Sequence, residues 1–177
     1  AEQSSRNLGW VRNTSRVAED IALAQAADRL WKELPARVGR EVGYRQAGIM
    51  FVARNQEQMH MHENWLQSVK HLGLDSRLLS NNEIHNLVAQ GQTTWAGGIY
   101  TASDGRAEPT LASSAIAQAA MDKGVIIIEH CAARQLVMTA GKVSGVYTEK
   151  GEIRCEQALL TGGLWSRKFL AQHAVQL

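Results

Sequence analysis

Four branched apolar residues in an unbroken run, Val125-Ile126-Ile127-Ile128, restrict the architectures open to this chain more than any other stretch. With no polar residue to turn toward water, the run predicts a strand covered on both faces, as in parallel sheets flanked by helices. The residues before it agree. Asp104-Gly105-Arg106-Ala107-Glu108-Pro109 reads as a turn that delivers proline to a first helical turn, where its missing N–H costs nothing. An alanine-rich stretch to Lys123 then offers Leu111, Ala115, Ile116, Ala119 and Ala120 for close packing, with Gly124 as cap. A helix feeding a doubly covered strand implies α/β organisation. The 177 residues, 45% apolar and 20% charged, suffice for one core with a small second lobe.

Elsewhere the patterning is mixed. Val17, Ile21, Ala24, Leu30, Trp31 and Leu34 recur near a 3.6-residue period, predicting an amphipathic helix from Ser15 to Leu34 with Pro35 as its stop. Tyr44 to Ala53 reads as a strand or bent strand pair. Asn55 with Gln58 resembles a capping box for a helix through Leu72 that buries Met59, Leu66, Val69 and Leu72 and ends at Gly73; Ser80 with Glu83 repeats the signal for a short helix over 81–88. Strands are expected at 77–79 and 94–101, so residues 40–105 have α+β character. Beyond residue 130, segments 136–139, 143–148 and 152–155, separated by turns with Gly141 and Gly151, predict an antiparallel meander. A short strand at 158–161, the pair Gly162-Gly163 and a helix from Trp165 to Gln172 follow. That order would aim backbone N–H groups and a helix dipole at an anion, although glycine at such a turn also serves simple steric relief.

A formal charge of +2 with scattered Lys and Arg excludes a phosphate-tracking stripe, so no nucleic-acid partner is expected. Cys131 and Cys155 show neither ligand spacing nor a disulfide framework, which suits a reducing, cytoplasmic setting; Cys131 reads as a small core residue. No apolar stretch approaches the ~18–20 residues of a membrane span, and Ala1 to Arg16 lack a signal-peptide core. His60 and His62, at i and i+2 on a helix, face apart with no third ligand, so solvated histidines and no metal are expected. Ser4-Ser5 lack a nucleophile elbow.

The linked series Asp104 to Pro109, the alanine-rich helix, Lys123-Gly124-Val125, the meander with Gly145-Val146-Tyr147-Thr148 and Gly151, and Leu160-Thr161-Gly162-Gly163-Leu164-Trp165-Ser166 resembles the glycine oxidase, sarcosine oxidase and D-amino-acid dehydrogenase family of FAD proteins. Gln3 to Trp10 resembles that family's loop after the second strand of the cofactor domain. The resemblance covers essentially the whole chain. It implies a mixed α/β fold with residues 1–39 and 104–177 as a partial, Rossmann-like FAD-binding domain, and 40–103 as part of a substrate-binding sheet. By similarity, Ser4, Ser5, Arg6, Asn7 and Gly9 would line the pyrophosphate and flavin ring. Ala133 would face adenine, Thr161, Gly162 and Gly163 would pack on the ADP portion, and Trp165 would open the adjoining helix. Tyr44, Arg45, Gly48 and Tyr100 are candidates for the substrate wall, and Arg6 or Arg45 for a two-pronged grip on a substrate carboxylate.

The implied chemistry is oxidation of the C–N bond of an amino acid or secondary amine by hydride transfer to flavin. The family's G-x-G-x-x-G strand–helix unit and its later acidic residue do not occur in this sequence. Nor does the family's C-terminal part. These absences predict a central portion of a longer flavoprotein that by itself binds FAD weakly or not at all and is inactive. The alternative is a truncated, non-catalytic structural or regulatory subunit that completes its fold against another chain or a second copy.

Overall fold

A computed structural model describes residues 3–88 and 93–173. The chain divides into two compact units, residues 1–125 and 126–177. The first is built from two layered groups. Helix α1 (Ala18–Val38) and helix α4 (Pro109–Asp122) enclose a small antiparallel sheet ordered β1-β6-β2, with β1 Trp10–Val11, β2 Arg45–Gln46 and β6 Gly105–Arg106. Val11, Val42, Tyr44, Ala107, Ala112 and Ala115 form its buried core, against which Trp31, Leu34 and Val38 of α1 pack. Ala112 and Ala115 of α4 permit this close approach; of the residues expected to pack, Ala115 is buried, but Leu111 and Ile116 are exposed, because the face turned to the core is the one that carries Ala112.

The second group is the antiparallel sheet β3-β5-β4, with β3 Ile49–Ala53, β4 Ser76–Leu79 and β5 Gly97–Thr101. Met59 of α2 (Gln56–Val69) lies against Gly97, and Ile84 of α3 (Asn81–Leu87) lies against Gly98. Consecutive strand residues face opposite ways, so the two helices cover opposite sides of the sheet. Both predicted caps form. The Asn55 side chain accepts from the Gln58 N–H at 2.9 Å, while Gln58 reaches back to the Arg54 N–H rather than to Asn55. Ser80 and Glu83 make the full reciprocal box.

The second unit is the predicted meander, β7 (Ala133–Thr139), β8 (Lys142–Thr148) and β9 (Gly151–Arg154), followed by one 3-10 turn (Gly163–Trp165) and α5 (Ser166–Ala171). The Leu136 N–H donates to His173 Nε2 at 3.1 Å, tying this last helix to the sheet.

Three expectations need correction. Residues 125–128 form no strand: Val125, Ile126, Ile127 and Ile128 are 42–84% exposed. Branched side chains give strand propensity, but a strand exists only where a neighbour completes its ladder, and among the described residues none lies beside this run. Residues 158–161 likewise form no strand and have no ladder partner among the described residues, with Leu159 at the surface. Lastly, α1 does not stop at Pro35 but runs through it to Val38. The proline sits in the last turn, where it removes only one donor, and the Arg40 N–H closes the helix on the Pro35 carbonyl at 3.2 Å. The bent strand pair at 44–53 divides as β2 and β3 into two different sheets.

Candidate functional site

The loop from Gln3 to Gly9 is braced by its own asparagine. Asn7 Nδ2 donates to the Ser4 carbonyl at 2.6 Å, and Asn7 Oδ1 accepts from the Gly9 N–H at 2.7 Å. Gly9 takes a left-handed φ of 71°, and a Cβ there would fall 2.1 Å from the Ala107 carbonyl oxygen. Only glycine lets the loop come this close to the start of α4. The Ala107 N–H then reaches the Gly9 carbonyl at 2.8 Å, and Trp10-Val11 pair with Arg106-Gly105 as the β1–β6 ladder.

Between this loop and α4 lies a groove of about 270 Å³, lined on one side by Ser4, Asn7 and Trp10 and on the other by Pro109, Ala112 and Ser113. Two tryptophans, Trp10 and Trp31, with aliphatic side chains and a few hydroxyl and amide groups, make a surface suited to a flat, polar-edged ring. The volume is slightly below the roughly 300–1,000 Å³ that encloses a drug-sized ligand. A groove of this size would take only part of a flavin dinucleotide, with Ser4 and Ser113 as its side-chain hydroxyls, the Ser113 proton being donated to the Pro109 carbonyl at 2.8 Å. Ser5 and Arg6 are exposed in the one-turn 3-10 helix that carries Ser4.

The predicted substrate-wall residues divide into different environments. Tyr44 is buried, stacks on Trp31 (6.4 Å between ring centres) and donates to Asp28 Oδ1 at 2.9 Å. Asp28 also pairs with Lys32 at 2.8 Å. Burial, and then the Asp28 carboxylate, push the Tyr44 phenol above its ordinary range. Arg45 is exposed and pairs with Glu41 four residues back. Gly48 lies directly against the Tyr100 ring, and the Arg77 guanidinium sits 5.9 Å from that ring's centre. In the second unit Ala133 opens β7, Thr161 and Gly163 are exposed, Gly162 lies beside the Ser166 hydroxyl, and Trp165 is exposed in the turn before α5.

Residues given no site role from the sequence form a hydrogen-bonded cluster after β1. Arg12 follows β1 and places its guanidinium 5.9 Å from the Trp10 ring centre and 5.5 Å from that of Phe51, two rings packed edge to face. It also donates to the Thr14 carbonyl. Burial and the neighbouring Arg16 lower its pKa, and the carboxylate of Asp104 opposes that shift. Asp104 is fully buried and accepts from both Asn13 and Thr14. The signal that could have found them is the run Arg12-Asn13-Thr14, polar residues directly after an apolar β pair and so placed to be drawn inward with it. His62 departs from the solvated reading. It is half-buried on the inner side of α2, its Nε2 lacks a partner, and burial holds its pKa low, whereas His60 is exposed.

Comparison with known proteins bears on the whole chain. L-amino acid deaminase from Proteus myxofaciens, solved in complex with anthranilate, superimposes with a TM-score of 0.90 at 28% identity, covering 99% of this chain and 40% of that one. Mitochondrial sarcosine dehydrogenase from Mus musculus is 26% identical over 91% of this chain and 18% of its own length. The mitochondrial pyruvate dehydrogenase phosphatase regulatory subunit of the same species is 24% identical over 94% of this chain and 19% of its own length. The chain thus spans about a fifth of these curated relatives and two fifths of the solved one. No helix among the described residues is long and apolar enough to cross a membrane. The family model for FAD dependent oxidoreductases matches residues 1–177 throughout, and the chain belongs to that family.

Proposed function

We propose that the protein carrying this chain oxidises the C–N bond of an amino acid or secondary amine, with FAD as hydride acceptor. The observation that carries the reading is the braced Ser4–Gly9 loop and its groove against α4, adjoining an arginine held by two aromatic rings. When bound, FAD supplies the redox chemistry; the protein supplies position and charge. Ser4, Ser5, Arg6, Asn7 and Gly9 are proposed to receive the flavin and pyrophosphate portion. In the second unit, Ala133, Thr161, Gly162, Gly163 and Trp165 are proposed for the ADP portion. Residues 40–103 would belong to the substrate side, with Gly48 and Tyr100 as wall residues.

Arg12 is a stronger candidate than Arg45 for the substrate carboxylate. Arg45 is neutralised by Glu41 at the surface, whereas Arg12 is half-buried and keeps guanidinium donors beyond the one used on Thr14. A desolvated guanidinium binds carboxylate in a two-pronged, charge-assisted manner. The packed Trp10 and Phe51 rings limit water beside it. The test is a spectrophotometric assay of the full-length protein against amino acids and N-methylated amines. Bound-flavin absorbance bleached by substrate is expected, and KM is expected to rise at least ~10-fold in Arg12→Met. Anthranilate, found in the Proteus relative, is proposed to compete for the same carboxylate site. A protein that retains no flavin and bleaches with no amine would refute the reading. We further propose that residues 1–177 alone hold FAD weakly.

A second reading is a non-catalytic subunit that pairs with another chain or a second copy. It draws support from the exposed run Val125–Ile128 and from the relative named as a regulatory subunit. Light scattering after size exclusion separates the two, because a stable monomer argues against a subunit that needs a partner.

A further inference from the structure

Asp104 lies in the turn between β5 and β6 and is fully buried. Burying a carboxylate is expensive unless donors fill its lone pairs. Among the described residues the donors come from Asn13 and Thr14. Asp104 Oδ1 accepts from the Asn13 N–H at 2.7 Å and from Asn13 Nδ2 at 3.2 Å. Oδ2 accepts from the Thr14 N–H at 3.1 Å and from the Thr14 hydroxyl at 2.5 Å. A hydroxyl has one proton and a carboxylate can only accept, so Thr14 donates to Asp104. Thr101, 2.6 Å away, then donates to Thr14, and Ser76, also at 2.6 Å, donates to Thr101. The chain of hydroxyls runs from the edge strand β4 through β5 into the carboxylate.

Asp104 is itself anchored. Its N–H reaches the Thr101 carbonyl at 3.3 Å, and its carbonyl accepts from the Gly48 N–H at 2.8 Å. Asn13 and Thr14 immediately follow Arg12, and the Thr14 carbonyl receives the Arg12 guanidinium. Thr14 is thus gripped by Asp104 through its N–H and hydroxyl and holds Arg12 through its carbonyl. The arrangement also balances charge: Arg12 is half-buried near a second cation, Arg16, and Asp104 is the anion that opposes both penalties. Among the described residues no Lys or Arg forms an ion pair with Asp104, so its charge is not spent on another cation.

We propose that Asp104 is a positioning residue, which fixes the Arg12 guanidinium beside Trp10 and Phe51 so that its remaining donors meet a substrate carboxylate. The inference rests on the reading of Arg12 under the proposed function. Asp104→Asn would turn one acceptor into a donor facing the Asn13 and Thr14 donors and remove the compensating charge. Thr14→Val would delete the shortest of the four contacts and the acceptor of the Thr101 hydroxyl, leaving the carboxylate and its other three donors in place.

The test uses the full-length protein and two probes that differ by one carboxylate, anthranilate and aniline, with dissociation constants from isothermal titration. Losing a hydrogen bond to a charged group costs on the order of 10- to 100-fold in affinity. Asp104→Asn is therefore expected to weaken anthranilate about 10- to 100-fold while leaving aniline within about twofold, with a smaller shift of the same kind in Thr14→Val. Parallel losses for both probes would mean general damage and overturn the proposal. Should Asp104→Asn not fold, Thr14→Val carries the test, and an unchanged anthranilate-to-aniline ratio overturns it. Arg12→Met separates the two layers. If it weakens anthranilate but neither Asp104→Asn nor Thr14→Val does, Arg12 stands and the role of Asp104 falls. If Arg12→Met leaves anthranilate unchanged, the reading of Arg12 falls and takes this inference with it.

Discussion

Replacing Gly9 by alanine perturbs the loop that meets α4, and its cost can be worked from two separate terms. The first is conformational. Gly9 has φ 71°, and a side chain in the left-handed region costs about 1–2 kcal/mol. The second is steric. The new Cβ would stand 2.1 Å from the Ala107 carbonyl oxygen and 3.1 Å from Pro109 Cδ. Because the nearest atom is backbone, the loop must withdraw and strain or lose the Ala107 N–H to Gly9 carbonyl bond, a further ~0.5–1.5 kcal/mol. Together these give about 2–3 kcal/mol, or roughly 4–12 °C in Tm for a protein of this size. Gly39→Ala is the control, since Gly39 has φ 66° with no atom within 4 Å of an added Cβ. It carries the conformational term alone. Thermal unfolding of wild type and both variants by circular dichroism should therefore place Gly9→Ala below Gly39→Ala by about 1 kcal/mol, or roughly 2–4 °C. Equal losses would refute the packing of the loop against α4. Withdrawal of the loop would also open the groove, so flavin retention by the full-length protein should fall in Gly9→Ala and not in Gly39→Ala.

Two further outcomes follow from buried and capping polar groups. Tyr44→Phe removes the donor to Asp28 from a buried site. It should lower stability by about 1.5–3 kcal/mol, the worth of a hydrogen bond to a charged group, seen as a lower urea midpoint with an unchanged slope. Because the folded pKa of Tyr44 lies above its ordinary value of 10.0, its stabilisation is complete below that pH and declines above it. Glu83 is depressed from 4.5 to about 2 by the Ser80 N–H, the Ser80 hydroxyl and Arg77. Its stabilisation is present above pH 4.5 and is lost as pH falls toward 2. The Tm gap between wild type and Glu83→Gln should therefore shrink across that window, and a gap independent of pH would count against a charged cap.

Local elements were legible where a single stretch contains its own cause. The Ser80–Glu83 box, the stop at Gly73 after α2 and the 3-10 turn Lys70–Leu72 that follows it, the helix started by Pro109 and the three-stranded meander all depend on neighbours a few residues apart. The groove loop was also within reach, through the family resemblance of Gln3 to Trp10. What sequence could not supply was any effect that depends on distant partners. Val125–Ile128 has the side chains of a buried strand, yet a ladder is a property of two segments, and this run has no second one among the described residues. Pro35 reads as a stop until Trp31, Leu34 and Val38 are seen packed on the core that holds the helix together across it. Asp104 lies some 90 positions from the residues it binds. The sequence marks it only as part of a turn, and its burial arises when the segment after β1 closes on it. Sequence by itself thus determined the helices, the turns and the family. Tertiary structure decided which charges are buried, leaving Arg45 at the surface with Glu41 and drawing Arg12 in beside Trp10 and Phe51, because desolvation and partnership arise only when remote segments meet.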